Sequence, residues 1–527
     1  MKKPRIKMNF LDRTIAAFSP AAGLRRAVTR TQLEYMAGPV TKTSASTKGT
    51  LGNWFGKRVN RFAEERERVI TTDRAADLVA NNGHATSIIE STALNVVGGA
   101  GLTPQSRPNF KRLGITEEQA NDIADQAEYA FTEWSKQADA EGESHFSDLQ
   151  YQTIYSLLMN GESLTLPVQM EVGANRTYSF ALQLLDNRRL RTPRNLISDP
   201  NIRDGIKLGN HCERLSYFIA NPDDGKLTTN LSSNVFEEIP AWRGHRRNVY
   251  HVFHKKSAEQ VRGVSILSPV VKLFRDYDDY MDFELVGAIL AASFPVFIET
   301  PPGEDPIEYT GDSVPDGNAP GAKRITEVTP GTITYGTQGQ VPHVMQSTRP
   351  GNSFPVFVET LLRAIGAATG LPYEVVAKDF SKTNYSSARA AMLEAYRIFQ
   401  LYQSILINHH NQPIWDAVFE EAWLRGQIVL PAGAPDFYQA RAAYTNCCWT
   451  PPKRGTIDPV KEVAAGKEAI ISNMLTLADW YAEQGKDYEE ELRQISRERK
   501  LMKKLDLTMA DMPGFDLAKM ATQPEAP

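Results

Sequence analysis

A long helix predicted in the middle of the chain constrains the fold more than any other feature of the sequence. Ser268 is expected to cap it, Pro269 occupies its first turn, and Pro295 ends it after Phe294. About 25 residues at a rise of ~1.5 Å each make a rod of roughly 37 Å. Apolar residues recur three and four positions apart along this rod: Val271, Phe274, Tyr277, Met281, Leu285, Ala288 and Ile289. The spacing predicts a helix with one apolar face.

Other helices are predicted on both sides of this rod. Their apolar residues repeat with helical spacing, and most are bounded by proline, glycine or capping residues. The predicted helices are 72–96, 117–134, 146–159, 355–369 and 386–411, and a helical C-terminal block is predicted over 459–505. Pro413 is expected to kink or restart the fifth of these helices, which continues to Gly426.

The pattern changes to short alternating runs ahead of the central rod. Residues 162–255 contain such runs at Ser163–Gln169, Ser179–Leu185 and Leu215–Ile219, separated by Asn, Asp, Gly and Pro. Alternation of this kind predicts a small β-rich unit. Residues 301–345 return to strands and Gly/Pro-rich loops. The fold class is therefore expected to be α+β.

The formal net charge of −4 hides an asymmetry along the 527 residues. Residues 1–50 carry ten Lys and Arg against Asp12 and Glu34, a net charge of +8, so the rest of the chain sums to −12. The basic arm is either a solvated tail or a segment that docks on an acidic partner or nucleic acid. An acidic body does not suit a clamp that holds DNA phosphates through many Lys and Arg contacts.

No motif of an enzyme stands out in the sequence. Gly52–Arg58 resembles a phosphate-binding loop, but it is one residue too short and lacks Ser or Thr after Lys57. Neither His251 and His254 nor the neighbours His409 and His410 have the spacing of a metal site. We therefore predict no catalytic residues, no metal ligands and no cofactor.

Cysteine usage and hydropathy limit the chain further. Cys212, Cys447 and Cys448 can form neither a disulfide framework nor a zinc site, which fits a reducing cytoplasm. Cys447-Cys448 followed by Trp449 is expected to be buried packing rather than a redox pair. No apolar run of about 18 residues occurs, so no membrane span is expected, and the basic N-terminus lacks the apolar region of a secretory signal.

The most informative stretch is residues 371–397, a polar loop of turn formers that leads into a helix. It reads Leu-Pro-Tyr-Glu-Val-Val-Ala-Lys-Asp-Phe-Ser-Lys-Thr-Asn-Tyr-Ser-Ser-Ala-Arg and continues to Tyr396-Arg397. Four more stretches follow a fixed order around it: Asn95-Val-Val-Gly-Gly-Ala-Gly-Leu-Thr-Pro-Gln, Asn160-Gly-Glu, His251-Val-Phe-His through Gln260-Val-Arg-Gly-Val-Ser, and Trp449 with Ile457-Asp-Pro-Val-Lys-Glu. Together they resemble the lambda-like family of bacteriophage portal proteins, with one extra small residue in the first. Each stretch alone is weak evidence for this resemblance, but five stretches in the same order over residues 70–480 are specific evidence for it.

The resemblance implies a ring, usually of twelve subunits, with wing, stem, clip and crown regions around a central channel. The β-rich unit corresponds to the clip and the central rod to a stem helix. The implied regions are a basic N-terminal arm (1–70), the first part of the wing with the first stem helix (71–160), the clip (161–260), a stem helix (261–295), the second part of the wing with the channel loop and a long helix (296–430), a helical crown (431–510) and a flexible tail (511–527).

The resemblance also implies a function. The ring would form the channel at the capsid vertex through which phage DNA is packaged and ejected, with no enzyme activity of its own. Its expected partners are further copies of the chain as a dodecamer, double-stranded DNA without sequence specificity, the terminase large subunit, the major capsid protein and a head–tail adaptor. Its expected location is the capsid vertex of the virion, and the host cytoplasm during assembly.

Seven residues are candidates for the DNA channel. Lysine and tyrosine side chains in the loop can meet phosphates without reading sequence, and carboxylates on the rod would repel the DNA backbone so that the duplex does not stick. The candidates are Lys378, Lys382, Asn384, Tyr385, Asp276, Asp279 and Asp282. The candidates for contacts between subunits are Arg389, Glu394 and Arg397. Two alternatives stay open: the loop forms a subunit contact, or the carboxylates are the solvated face of a packed helix.

Two other classes of protein compete with this interpretation. One is a different head–tail connector or capsid-associated structural protein, but adaptors are usually much shorter and lack the 371–397 string. The other is a terminase-like ATPase or nuclease, which would need the phosphate-binding loop that this sequence lacks.

Overall fold

The computed structural model describes residues 19–20, 26, 29, 61–174, 176–221, 235–292, 296–298, 333–335, 354–452 and 459–505. The chain divides into two units, residues 1–64 and 65–527. Most of the predicted basic arm, the loop-like stretch Gly52–Arg58 and the tail from 511 lie outside the described residues. No helix in the described part of the chain is both long and apolar enough to cross a membrane.

The first helical region is broken where one continuous helix was predicted. Helix α1 spans Arg61–Asn81, beginning inside the range assigned to the arm, and α2 spans Gly83–Val97. Asn82 separates them because its backbone is extended (φ −116°, ψ 116°) and its side-chain Oδ1 accepts from the N–H groups of His84 and Ala85, both at 3.0 Å. The prediction of a single helix over 72–96 was therefore wrong: a capping asparagine restarts it.

The next helices begin and end close to their predicted limits. Strand β1 (Thr103–Ser106) and the short α3 (Phe110–Leu113) precede α4, which spans Glu117–Ser135. Thr116 and Gln119 form a reciprocal capping box at the start of α4. Helix α5 spans Phe146–Asn160 and ends at Gly161, whose φ of +91° only glycine adopts freely.

The β-rich region predicted over 162–255 is confirmed as nine short strands among its described residues. They are β2 (Glu162–Gln169), β3 (Phe180–Leu185), β4 (Ile202–Arg203), β5 (Ile206–Leu208), β6 (Arg214–Ala220), β7 (Phe236–Pro240), β8 (Trp242–Arg243), β9 (Arg246–Arg247) and β10 (Tyr250–Phe253). Strands β10, β2 and β3 form one antiparallel sheet, β4 to β7 form a second, and β8 and β9 form a hairpin.

The central rod is helix α6, Val271–Ala292, preceded by a 3-10 turn at Ser268–Val270. The expectation that Ser268 caps the helix was wrong. Leu267 occupies the cap position, no side chain caps the turn, and the nearby hydroxyl of Ser265 accepts instead from the Leu267 N–H at 3.1 Å. The predicted end at Phe294-Pro295 lies outside the described residues. Beyond it, β11 (Val296–Ile298) and β12 (Ile333–Tyr335) pair in parallel.

A second helical group follows. It consists of α7 (Phe354–Thr369), the short α8 (Tyr373–Ala377), α9 (Tyr385–Leu406) and α10 (Gln412–Leu424). A π-helical turn, Ile407–Asn411, joins α9 to α10 directly before Pro413. Proline cannot donate the backbone hydrogen bond of a regular turn, and a wider turn accommodates its ring. The predicted helix is thus interrupted ahead of Pro413 by a π-helical turn, while the backbone on both sides of that turn stays right-handed helical.

The last described elements are α11 (Phe437–Tyr444), β13 (Cys447–Thr450), α12 (Pro459–Ile471), α13 (Leu477–Glu483) and α14 (Tyr488–Lys504). Strand β13 pairs antiparallel with β1, with Thr103 opposite Thr450 and Ser106 opposite Cys447. Trp449 is buried as expected, although Cys448 beside it is exposed, and the cysteines are free thiols. The C-terminal part of the chain therefore completes a sheet begun near its start.

The main hydrophobic core joins the helices to the first sheet. Its centre is a group of aromatic rings: Phe131 lies 5.3 Å from Trp415 and 6.0 Å from Trp449, measured between ring centroids. Trp134 is fully buried, and its indole N–H donates to the Phe180 carbonyl oxygen at 2.9 Å. A smaller core lies under β5 and β6. The fold is thus a mixed one of helices and strands, as predicted.

Candidate functional site

Helix α7 lies between the two groups of predicted DNA-channel residues. On one side, Tyr280 of α6 packs on α7, with its ring 5.6 Å from that of Phe354 and 4.9 Å from that of Phe357. On the other, the loop before α9 reaches α7 through the Lys382 ammonium, 3.2 Å from the Glu359 carboxylate. The sequence did not single out Glu359, because one glutamate on an amphipathic helix carries no pattern of its own.

The three carboxylates chosen on the rod lie along its outer surface. Asp276 and Asp282 are exposed, and Asp279 pairs with Arg275 one turn earlier, at 2.9 Å. Phe274 and Tyr277 are buried on the opposite side of the helix. Residues three apart lie on the same side of a helix, so the carboxylates form one stripe that solvent or a ligand can reach.

The loop between α8 and α9 is held by its own hydrogen bonds. Lys378 ends α8 in the left-handed conformation, with a φ of +52°. Asp379 then accepts from the Ser381 hydroxyl at 2.6 Å and from the Ser381 N–H at 3.0 Å. These hydrogen bonds favour the ionised carboxylate and lower the pKa of Asp379. The loop thus presents Lys378 and Lys382 from a defined turn.

Asn384, which was predicted to contact DNA, also caps helix α9. Its side-chain Oδ1 accepts from the Ser387 N–H at 2.9 Å, and the Ser387 hydroxyl accepts from the Asn384 N–H at 3.0 Å. This reciprocal pair caps α9. The side chain of Tyr385, the fourth loop candidate, lies outside the described residues.

The predicted subunit-contact residues lie on the exposed side of α9. Glu394 and Arg397 pair with each other at 3.0 Å, and both side chains are mostly exposed. Arg389 lines a groove of about 620 Å³ between α9 and the C-terminal helices, with Met392 and Trp480 among its walls. The sequence did not predict that residues of α12 and α13 would form the other wall of this groove.

Two of the other sequence stretches meet in a buried junction formed by Glu162, His251 and Arg262. The Arg262 Nε lies 2.9 and 2.8 Å from the two carboxylate oxygens of Glu162, and its Nη1 donates to the carbonyl oxygens of Leu190 (2.8 Å) and Asp204 (2.7 Å). The His251 Nε2–H donates to the same carboxylate at 2.9 Å. The side chains of Glu162, His251 and Arg262 are almost completely buried.

The protonation states of this junction follow from its geometry. Burial by itself would raise the pKa of Glu162, but the charge and hydrogen bonds of Arg262 and His251 hold that pKa well below its ordinary value. Burial lowers the pKa of His251 to about 4. The junction therefore contains an ionised carboxylate, a charged guanidinium and a neutral imidazole with its proton on Nε2.

Glycines let the two stretches approach each other. A Cβ added at Gly263 would lie 1.9 Å from the Gly161 carbonyl oxygen, and one added at Gly161 would lie 2.3 Å from the backbone of Val264. No side chain fits at either position, and the Gly263 N–H donates to Glu162 at 3.1 Å. Both stretches are recognisable in the sequence, but their contact is not, because residues 161 and 263 are far apart along the chain.

The remaining motif residues also have structural roles. In the glycine-rich turn after α2, Gly98 and Gly101 have φ values of +70° and +78°. The Gln150 side chain then accepts from the Leu102 N–H at 2.7 Å and donates to its carbonyl oxygen at 3.1 Å. The Trp449 indole N–H donates to Gln412 at 3.1 Å. These stretches join distant parts of the core.

His254 and His410 behave as packing residues in the structure. His254 lies beyond the end of β10, with its ring edge-on to that of Tyr402 at 6.3 Å. His410 is fully buried and hydrogen-bonds to Asn411 at 2.9 Å, and burial lowers its pKa to about 4. Among the described residues, no group of three or more His, Cys, Asp and Glu side chains could hold a metal ion.

Comparison with known proteins gives the following matches. A family model described as "Phage portal protein, lambda family" matches residues 50–403. Portal protein B of Escherichia phage lambda is 26% identical over 446 residues, covering 81% of this chain and 82% of that protein. The portal protein of Escherichia phage N15 is 26% identical over 446 residues, and the match covers 81% of this chain and 83% of the N15 protein. Among solved structures, the neck of an empty gene transfer agent particle has a TM-score of 0.36 at 13% identity, covering 80% of this chain and 94% of that chain. At that TM-score the likeness supports no statement about the fold.

Proposed function

The chain belongs to the lambda family of phage portal proteins, and from this premise we propose how it builds and lines the channel of the capsid vertex. As a portal protein it is a component of the virion at that vertex. The family match over residues 50–403 carries this conclusion. The subunit arrangement, the residues that meet DNA and the docking partners are the proposed part.

We propose that twelve copies assemble into a closed ring. Large apolar side chains that a single chain leaves exposed on several helices support association, because a neighbouring subunit can cover them. Phe283 on α6 is 72% exposed, and its neighbours along the same helix and on the next helices share this property. The exposed apolar residues include Leu285, Val286 and Ile289 on α6, Val356 and Phe357 on α7, Leu393 and Leu401 on α9, and Val460, Val463 and Ile471 on α12.

We propose that the outer side of α6 and the loop at Lys378–Asn384 face the channel. Asp276, Asp279 and Asp282 would repel the DNA backbone and keep the duplex centred, because attached phosphates would have to be released at every step of translocation. Lys378 and Lys382 would hold it transiently. Lys382 already pairs with Glu359, so a phosphate competes with a carboxylate that is in place. That competition makes the contact weak, as sliding requires.

The remaining proposals concern partners and location. The β-rich region would serve as the clip that docks the terminase large subunit during packaging and the head–tail adaptor afterwards. The helical body would contact the major capsid protein, and assembly would take place in the host cytoplasm. The protein would act without enzyme activity. ATP hydrolysis or nuclease activity that copurifies with the protein and survives changes at Lys57 would contradict that last proposal.

Negative-stain electron microscopy of the purified full chain tests the ring. Closed rings with a central hole are expected, together with a single large species by mass photometry. Val460→Asp combined with Val463→Asp should prevent ring formation while leaving the circular dichroism spectrum unchanged, because both are exposed apolar residues of α12 rather than of the proposed channel face of α6. Val429→Asp, at an exposed apolar residue outside these helices, is the control. A monodisperse monomer at all salt concentrations would contradict the ring.

A further inference from the structure

The β-rich region contains a cationic pocket that the channel proposal does not use. Its volume is about 410 Å³, and it lies between β6, the β8–β9 hairpin, β10 and the segment 255–261. Its charged and aromatic lining residues include Arg214, Tyr217, Trp242, Arg247, Lys255 and His409. Cations and aromatic rings therefore share one concave surface.

The two arginines are positioned by aromatic rings rather than by carboxylates. The Arg214 guanidinium lies 4.7 Å from the centroid of Phe253 and donates to the Val261 carbonyl oxygen at 3.0 Å. The Arg247 guanidinium lies 5.0 Å from the centroid of Trp242. Within the part of the chain that the structure describes, neither guanidinium forms an ion pair. Their charges are held in place and remain available to an anion.

The positive charge of the pocket acts on its other residues. Burial, and then the charges of Arg247 and Arg214, lower the pKa of His409. Glu259 is the one carboxylate among the described lining residues, and it pairs with Arg203 at 3.8 Å. Lys255 adds an exposed ammonium at the rim. The pocket thus has a net positive charge at neutral pH.

We propose that this pocket binds an acidic peptide segment of a protein that docks on the portal. Carboxylates of the peptide would pair with Arg214, Arg247 and Lys255, and its apolar side chains would pack on Tyr217 and Trp242. Arginine, tryptophan and tyrosine are the residues that contribute most to binding energy in protein interfaces. That the peptide comes from a docking protein rests on the proposed function; the chemistry of the ligand does not.

The size of the pocket favours a peptide over duplex DNA. A volume of about 410 Å³ accommodates a few side chains. A B-DNA duplex, whose major groove alone is about 12 Å wide, could touch only the rim of such a pocket. A flexible peptide can place carboxylates beside both guanidinium groups at once, which makes it the ligand with the better fit.

Fluorescence anisotropy with the purified full chain tests the proposal. The probe is a short fluorescein-labelled peptide of Glu, Asp and Leu, and the reference is the same peptide with Gln and Asn in place of the acids. The acidic peptide should bind, and Arg214→Gln or Arg247→Gln should weaken it at least about tenfold, because hydrogen bonds to charged groups are lost. Arg243→Gln, on the same hairpin but outside the pocket lining, should leave binding unchanged.

Lys255→Gln is a further variant that separates loss of a peptide contact from loss of binding through misfolding. Lys255 is exposed at the rim, so its replacement should preserve the fold and weaken the peptide about two- to threefold, as for an exposed ion pair. Equal binding of the acidic and neutral peptides would overturn the proposal. So would duplex DNA that binds with the same dependence on Arg214 and Arg247. Preparations that form rings but bind no peptide overturn the pocket alone, whereas failure to form rings contradicts the proposed function.

Discussion

The buried junction around Glu162 and the exposed loop around Lys382 both belong to stretches that resemble the portal family, yet they use charge in opposite ways. Glu162 is completely buried and meets Arg262, His251 and a backbone N–H. Lys382 is 69% exposed and meets one carboxylate, Glu359. A stretch that resembles the family therefore does not show whether its charged residues stabilise the fold or remain available to a ligand. Burial decides that.

The physical reason is the difference in solvation. A buried ion pair has lost its water, so removing one partner leaves the other charge uncompensated. An exposed pair exchanges one well-solvated state for another and contributes about 0–1 kcal/mol. The junction should therefore respond strongly to substitution and the loop weakly.

Glu162→Ala should destabilise the fold by about 3–5 kcal/mol, because the buried Arg262 guanidinium would lose its main carboxylate partner and keep only Asp204, 3.2 Å from its Nη1. Urea unfolding followed by tryptophan fluorescence measures the change. Glu394→Ala, which removes an exposed pair with Arg397, is the matched control and should cost less than about 1 kcal/mol. Similar losses of unfolding free energy in the two variants would contradict the expected difference between the buried junction and an exposed ion pair.

Gly263→Ala should destabilise the junction by about 1–3 kcal/mol or prevent folding, because the new Cβ would overlap the Gly161 carbonyl oxygen. Gly99→Ala is the control, since a Cβ there has nothing within 4 Å. The melting temperatures of the two variants give the comparison. An unchanged melting temperature for Gly263→Ala would mean that the two stretches do not interlock as described.

The junction should also make stability depend on pH. The folded pKa of His251 is about 4, and that of the unfolded chain is near 6.5, so unfolding takes up a proton between these values. Stability therefore falls as the pH decreases from 6.5 to 4. His251→Gln keeps a donor for Glu162 and should reduce the slope of unfolding free energy against pH by up to ~1.4 kcal/mol per pH unit. A residual slope should remain in this variant, because burial also lowers the pKa of His410 to about 4. Glu394→Gln should leave the slope unchanged, and an unaltered slope in His251→Gln would contradict the assignment.

The loop should show the smallest effect on stability and a distinct effect on DNA. Lys378→Ala with Lys382→Ala should change stability by less than about 1 kcal/mol and leave rings intact, but impair packaging or retention of DNA. Glu359→Gln is the sharper test, because it releases Lys382 and should strengthen nonspecific DNA binding in a filter-binding assay. Rings that fail to assemble would favour the subunit-contact alternative, and unaffected packaging would exclude the channel assignment.

Much of the fold could be predicted from local patterns. Capping residues, prolines and glycines placed most helix boundaries, and alternation located the β-rich region. What failed was decided by single polar side chains that hydrogen-bond to backbone N–H groups two or three residues away. Asn82 breaks the first helix, where it also donates to Asp278 at 2.6 Å, and Ser265 rather than Ser268 bonds the turn before α6.

The candidate site was predictable only in part, for a different reason. Composition identified Lys378, Lys382 and the aspartates of the rod as charges that a ligand could meet. It could not identify Glu359 as the partner of Lys382, nor the contact of Glu162 with Arg262, because such contacts depend on tertiary packing between residues far apart in sequence. The proposed peptide pocket was missed as well, since its arginines come from separate strands.

The pairing of β1 with β13 delays the folding of this sheet during synthesis of the chain. Thr103 lies opposite Thr450, so the sheet cannot close until nearly the whole body has left the ribosome. At ~5–20 residues per second, the intervening roughly 340 residues take about 20–70 s to synthesise. During that delay the Phe131 ring lacks Trp415 and Trp449, whose rings pack against it in the folded chain. The nascent chain must therefore be protected from aggregation for most of its synthesis, before any neighbouring subunit can help.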